Sequence, residues 1–321
     1  MNRILVTGGS GFIGSQIVKS LANYGHEIFV VDRKINPWTY TYVSSDHIHQ
    51  GDFLEAFSIP NFEFDTVIHL AGDILVEQGE FDPSKYYSNN VMKLKEMLDI
   101  LVSRNVKNII FSSSGSVYGN QQNNSLTEDL LYNPQCTYAS TKVAGELLIK
   151  DYSRAHELNY VIFRYFNACG ADPDTEFGYI QYPATHIIPI LCNKINKNQP
   201  IVIYGNTYPT YDGTCVRDYV HIQDIANAHQ KALEYLNNGN RSEIFNIGGI
   251  AGELTVKQLA ENAYMILNRY PNIQYASMRS GDVPRLVADT NKARNILGWE
   301  PKYSIGEILD HAWNWEVRYH G

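Results

Sequence analysis

Long apolar stretches are missing from this chain. No run of about 18 apolar residues occurs among its 321, so no membrane-spanning helix is expected. Cysteine is scarce as well: Cys136, Cys169, Cys192 and Cys215 stand far apart, with no C-x-x-C pair. That spacing speaks against a disulfide or zinc framework and for reduced thiols in a cytoplasmic protein. Basic residues are outnumbered, 26 Lys and Arg against 34 Asp and Glu, for a formal net charge of −8. With no basic cluster either, the overall field does not draw in polyanions, and nucleic acid is not expected as a partner. A phosphorylated small molecule would have to be held locally, by a few arginines and helix N-termini. No Gly/Ser-rich linker and no internal repeat interrupts the chain. Its opening MNRILVTGGSGFIG reads as strand and turn rather than signal peptide.

What is present suits a globular chain: 44% hydrophobic and 19% charged residues, enough to bury a sizeable core in two domains or one large α/β unit. The segment RILVTGGSGFIGSQIVKSLANYGHEIFVVD reads as strand (Ile4 to Thr7), glycine turn, helix (Ile13, Ile17, Val18, Leu21) and buried strand. Gly25 marks the helix stop. This is a βαβ unit, which favours a parallel sheet with a right-handed crossover. Gly8, Gly11 and Gly14 form G-x-x-G-x-x-G between strand and helix, where a tight turn can meet a pyrophosphate at a helix N-terminus. Asp32 ends the second strand, where a carboxylate accepts ribose hydroxyls and repels a 2′-phosphate. That favours NAD over NADP, although Arg33 beside it is of a type that can accept NADP.

Alternation continues along the chain. DTVIHLAG (65–72), NIIFSSSGSVYG (108–119) and YVIFRYFN (160–167) read as strands, with helices near 89–104 and 138–155 between them. Asp32, Ala71 to Gly72, Ser112 to Ser114 and Asn167 fall at strand C-terminal ends, where ligands sit in a doubly wound sheet. SSS alone would be a polar turn; at the end of a parallel strand it faces a cleft. In CTYASTKVAGE, Tyr138 and Lys142 share a helix face four residues apart. A neighbouring ammonium should lower the phenol's pKa from about 10 and make a base, although most such pairs are ordinary helix surface. His47 and His49, near Asp46 and Asp52, read as an alternating polar strand before a metal site; no metal is expected.

TGGSGFIG, the SSS strand end and Tyr138-x-x-x-Lys142 together resemble the extended short-chain dehydrogenase/reductase family. GNTYPTYDGTCVRDYVHIQDIANAH (205–229), KYYSNNV (85–91), RYFNACGADPD (164–174) and SGDVPRLVADTNKARNILGW (280–299) are similar to its UDP-hexose 4-epimerase group. The resemblance covers essentially the whole chain. It implies an α/β architecture, a Rossmann-like doubly wound parallel sheet with a smaller substrate-binding domain. The expected division is 1–165 plus 214–245 for NAD and 166–213 plus 246–321 for the nucleotide sugar. DYVHIQDIANAHQKALEYL reads as a return to the sheet followed by a helix, and SEIFNIGG as another strand.

The activity so implied is reversible C4 epimerisation of UDP-galactose and UDP-glucose through a 4-keto sugar, with hydride passing to and from bound NAD. Tyr138 would be the general base, Lys142 would hold its phenolate and contact the nicotinamide ribose, and Ser114 would bond O4 and relay its proton. The cofactor set is Gly8, Gly11, Phe12, Ile13, Gly14, Asp32, Arg33, Asp52, Phe53, Leu70, Ala71, Gly72, Asn89, Tyr138, Lys142 and Phe166. Arg217 and Arg279, each of which alone would more often be a surface residue, become diphosphate ligands. Asn167, His186 and Ile187 lie near sugar and diphosphate, Val202 to Tyr204 along the uracil, and Asp282 at the ribose. Leu286 stands where residue size sets tolerance of N-acetylated sugars, or merely packs.

Departures from the group are Ile74, where a lysine near the cofactor is common, and the short loop RKINPWTY. Dehydratases carry Asp-Glu after the strand-end hydroxyl, whereas Ser114 is followed by Gly115 and Ser116, so elimination has no visible proton carrier. Helices 89–104 and 138–155 would pair in a homodimer, or simply bury against the sheet. The alternatives are an epimerase of another UDP sugar (N-acetylhexosamine, pentose or uronate) and a non-catalytic dinucleotide-binding regulator.

Overall fold

The computed structural model describes residues 1–59, 62–121, 125–239, 241–279 and 282–320. Fourteen strands occur among them, and seven form one parallel sheet. These are β1 (Arg3–Thr7), β2 (Glu27–Asp32), β3 (Ile48–Gln50), β4 (Thr66–His69), β5 (Asn108–Ser114), β6 (Asn159–Tyr165) and β11 (Glu243–Ile247). The order β11-β6-β5-β4-β1-β2-β3 places successive crossovers on opposite sides of β1, so a crevice opens at the C-terminal ends of β1 and β4.

Such strands are apolar on both faces, as a sheet covered twice requires. Ile4 and Val6 point into one core with Ile17, Leu21, Ile225, Leu233 and Trp299. Leu5 points into the other with Phe29, Val67, Leu94, Leu98, Phe111 and Ile162. Helix Phe12–Asn23 packs on helix Ile222–Asn237 over the first face, and Lys93–Ser103 on Thr137–His156 over the second. Gly25 ends the first helix in the left-handed region (φ +77°), its N–H bonded to Ala22 O.

Two strands end at defined breaks. Ser114 Oγ accepts the N–H of Ser116 at 3.2 Å and caps the turn Gly115–Tyr118, which ends β5. At Phe166 the chain changes partners: its N–H bonds Ile247 O of β11, whereas that of Asn167 bonds Asp218 O. The segment Tyr219–His221 therefore does not return to the main sheet. It is β10, parallel to β7 (Asn167–Cys169) in a separate pair.

The remaining strands are short: β8 (Ile201–Tyr204) with β13 (Ile273–Ala276), and β9 (Val216–Arg217) between β12 (Leu254–Thr255) and β14 (Arg285–Leu286). With helices Ile187–Asn196, Val256–Ile266 and Ile305–His320 they enclose a third core around Leu191, Ile195, Ile201, Leu259 and Leu309. All four cysteines are free thiols. His47 stacks on Phe29 at 4.2 Å, whereas His49 bonds Glu55 at 2.8 Å. Among the described residues, no helix is long and apolar enough to cross a membrane.

Candidate active site

The glycine turn is packed too tightly for side chains. Gly8 sits at φ +73°, and a Cβ on Gly14 would lie 2.2 Å from Gly8 O. No side chain caps the helix that starts at Phe12, so its first N–H groups stay available to an anion. Asp32, at the tip of β2, accepts the Ser10 N–H at 3.1 Å. Burial raises its pKa, against the pull of the backbone N–H groups it accepts. Arg33 turns to Asp73, 3.5 Å away.

These residues open on one cavity of about 380 Å³. One end is walled by Asp32, Arg33, Asp52, Phe53 and Ile74, the middle by Gly8, Gly11 to Gly14, Leu70, Ala71, Gly72 and Asn89. The far end is walled by Ser112, Ser113, Tyr138, Lys142 and Tyr165, with Tyr179, Ile180, Gln181 and His186 covering it. Asp52 is held by Lys93 at 2.5 Å, which outweighs burial and keeps its carboxyl below the usual range. Phe166 is off this wall: its ring stacks on Tyr118 and backs onto Gly115. The glycine cradle and the strand-end carboxylate fit a dinucleotide.

At the Tyr138 end the expected electrostatics is reversed. Burial pushes the phenol up to about 12, with a hydrogen bond to Ser114 opposing it. Lys142 does not pull it down. Burial lowers the Lys142 ammonium itself to about 8, Glu146 opposing, and Nζ donates to Ser112 O at 2.8 Å. Nζ still lies within 5.8 Å of the Tyr138 ring centre.

Of the residues expected at the nucleotide sugar, His186 lines the cavity and the others lie outside its lining. Val202 and Tyr204 occupy the outward face of β8, and the Arg279 guanidinium lies 3.8 Å over the Tyr204 ring. Arg217 donates to Val216 O and to Val283 O at 2.8 Å, with Asp282 at 3.7 Å. Leu286 pairs with Arg217 across β14 and β9 and packs beside Phe166 and Tyr118. In the motif RSGD, Ser280 and Gly281 lie outside the described residues. Asn167 donates to Asp218 O at 2.9 Å. His186 precedes Ile187, first residue of its helix; burial lowers its pKa, and Nδ1 lies 3.2 Å from Tyr179 OH.

Several residues that support or cover the wall escaped the sequence reading. Asn90 sits in a π-turn (Ser88–Met92), and its Oδ1 accepts the Asp73 N–H at 2.8 Å. Such turns aim side chains off the regular helix stripe, so no periodicity signals them. The cover over the cavity comes from an aperiodic segment. Tyr179 meets Phe12 edge-on at 5.6 Å, and its carbonyl accepts the Trp315 indole N–H at 2.9 Å. Glu316 accepts from Tyr182 OH and Asn193 Nδ2.

A parallel doubly wound sheet with glycine turn, strand-end carboxylate and Tyr–Lys helix on one cavity defines a dinucleotide-dependent enzyme. Residues 4–248 match the model of the NAD dependent epimerase/dehydratase family. The UDP-glucose 4-epimerase of Halalkalibacterium halodurans is 37% identical, over 99% of this chain and 97% of its own. A crystal structure of UDP-glucose 4-epimerase from Brucella ovis with NAD superposes with a TM-score of 0.91, at 33% identity and covering 98% of both chains. That from Bifidobacterium longum, with NAD+ and UDP, gives 0.91 at 27% identity, covering 99% of both. The chain belongs to the NAD dependent epimerase/dehydratase family.

Proposed function

We propose that the chain interconverts UDP-galactose and UDP-glucose by inverting the sugar at C4. One observation carries the reading: Tyr138 and Lys142 line the same cavity as Asp32, and Ser114, behind that wall, hydrogen-bonds Tyr138. That carbon is not acidic, so inversion proceeds through a ketone that is planar at C4. When bound, NAD supplies the reversible hydride acceptor. Tyr138 takes the O4 proton and returns it, Ser114 bridges phenol and O4, and Lys142 carries the positive charge that favours the phenolate.

The proposed division is a cofactor part (1–165, 214–245) and a nucleotide-sugar part (166–213, 246–321); β11 runs across its boundary to Ile247, and Ala293, Leu297 and Trp299 of the second part pack in the first core. Turning the sugar while the nucleotide stays put needs binding concentrated on UDP. Arg217 and Arg279 suit its diphosphate, with Val202 and Tyr204 along the uracil, Asp282 at the ribose, and Asn167, His186 and Ile187 towards the sugar. Ser114 followed by Gly115 and Ser116 offers no acid–base pair for dehydration. The chain forms a homodimer through helices Lys93–Ser103 and Thr137–His156, where Leu147 is exposed, as is Met92 just before the first helix, and works in the cytoplasm, as its free thiols suit.

Incubation with UDP-galactose and NMR detection of UDP-glucose tests the reading. Conversion supports it; turnover of UDP-N-acetylgalactosamine alone moves the reading to another UDP sugar, and no conversion of either ends it. Purified protein should retain NAD, since no redox equivalent is consumed. Light scattering at micromolar concentration tests the dimer.

A further inference from the structure

Three consecutive serines each meet one residue of a single helix face. Tyr138, Lys142 and Glu146 recur every fourth residue along helix Thr137–His156. Ser114 bonds Tyr138, the Ser112 carbonyl takes Lys142, and Ser113 Oγ donates to Glu146 Oε1. Glu146 is fully buried and receives a two-pronged bond from the buried Arg164: Nε to Oε1 at 3.0 Å and Nη2 to Oε2 at 2.7 Å. Tyr132 OH completes its shell at 2.9 Å. Gly145 beside it lets the helix approach β5, since a Cβ there would stand 2.9 Å from the Phe111 ring.

A buried ion pair of this kind is a poor stabiliser, because apolar residues of similar volume usually do as well. Its use is to fix a register. We propose that Glu146 is a positioning residue for the Tyr138–Lys142 pair: through Ser113 it locks the helix to the serine strand end and keeps a negative charge behind Lys142. The inference rests on the epimerase reading only for its activity readout.

The titratable groups around Lys142 are few. Tyr138 and Glu146 share its helix. His69 faces it from β4, held neutral near 3 by burial and by the Lys142 charge, and β5 contributes the Ser112 carbonyl and the Phe111 ring, 5.0 Å from Nζ. Glu146 in turn faces Arg164 from β6 and Tyr132 from the preceding loop, with Lys150 and Tyr160 at longer range. Glu146 is the negative group that holds the Lys142 charge, against burial that lowers it to about 8.

The test follows Lys142 directly, by NMR of protein carrying isotope-labelled lysine, the signal assigned by its loss in Lys142→Met. Glu146→Gln should move the Lys142 titration to lower pH by about one unit. Glu146→Gln combined with Arg164→Met removes the orphaned guanidinium and should shift it the same way. Ser113→Ala keeps both charges: kcat should fall roughly tenfold while KM and the Lys142 titration hold, and Ser113→Thr should restore it. A titration unmoved in whichever Glu146 variant folds overturns the proposal, as does Ser113→Ala with wild-type kcat, which decides alone if neither folds. A wild type without epimerase activity would sink the functional reading instead, leaving the titration to judge Glu146.

Discussion

Along one wall of the site, Gly8, Asp32, Gly72 and Ser112 stand at or just beyond the ends of neighbouring strands of one parallel sheet. In the smaller sheets, Val202, Arg217 and Leu286, the residues proposed for the nucleotide sugar, hang from strands of two to four residues, and Arg279 from the loop beside one of them. The first set is held by strands paired on both sides and by two apolar cores. The second is held by a few bonds each, as when Arg217 leans on two carbonyl oxygens. A wall of the first kind keeps its groups where they are whether or not a ligand is present. One of the second kind can adjust by small backbone movements at low cost. For a reaction in which the cofactor stays and the sugar turns, that is a useful division.

Substitutions can break or sharpen this contrast. The largest effect is expected at Tyr138→Phe, which should cut kcat by roughly 10²–10⁴-fold while bound NAD survives gel filtration. Unchanged turnover would remove Tyr138 from the chemistry. Gly14→Ala should come next. Its methyl would meet Gly8 O at 2.2 Å, so the turn must shift, retained NAD should be lost, and unfolding in urea should come earlier by about 1–3 kcal/mol. Arg217→Ala and Arg279→Ala should each weaken UDP binding by about 10- to 100-fold in calorimetry, with NAD content unchanged. Loss of NAD in those variants would show that the two walls are not independent.

The smallest effect concerns pH. Asp218, between the walls, accepts N–H groups from Gly249 at 2.6 Å and Ala288 at 3.1 Å, yet burial pushes it up to about 7. A carboxyl raised on folding binds its proton more tightly in the folded state. Its contribution is therefore full below the ordinary carboxylate range and is lost as pH rises through about 7. Stability in urea attributable to Asp218 should decline from pH 4 to 7, and Asp218→Asn should flatten that slope. An identical pH dependence in both proteins would reject the assignment.

The sheet was readable because its signals are local: a glycine turn between an apolar strand and a helical stripe, and apolar runs ending in small residues. The second layer was not, because strands of two or three residues have no period to detect. The break at Phe166 depends on a partner 81 residues later, Ile247, competing with Asp218. Spacing placed Tyr138 and Lys142 on one face, but only the packed structure shows the ammonium committed to Ser112 O and lowered by burial to about 8. Asn90 was hidden by a π-turn. Glu146 was in plain view four residues past Lys142, yet its partner Arg164 is brought to it by the sheet alone.

Trp315 and Glu316 belong to helix Ile305–His320, and through Tyr179 and Tyr182 they grip the segment that covers Phe12. The last helix therefore acts as a latch on a compartment formed mostly by the first third of the protein. Trimming or crowding the tail should let the nucleotide escape before the sheet loosens, so that leakage, not melting, would be the first symptom of damage at that end.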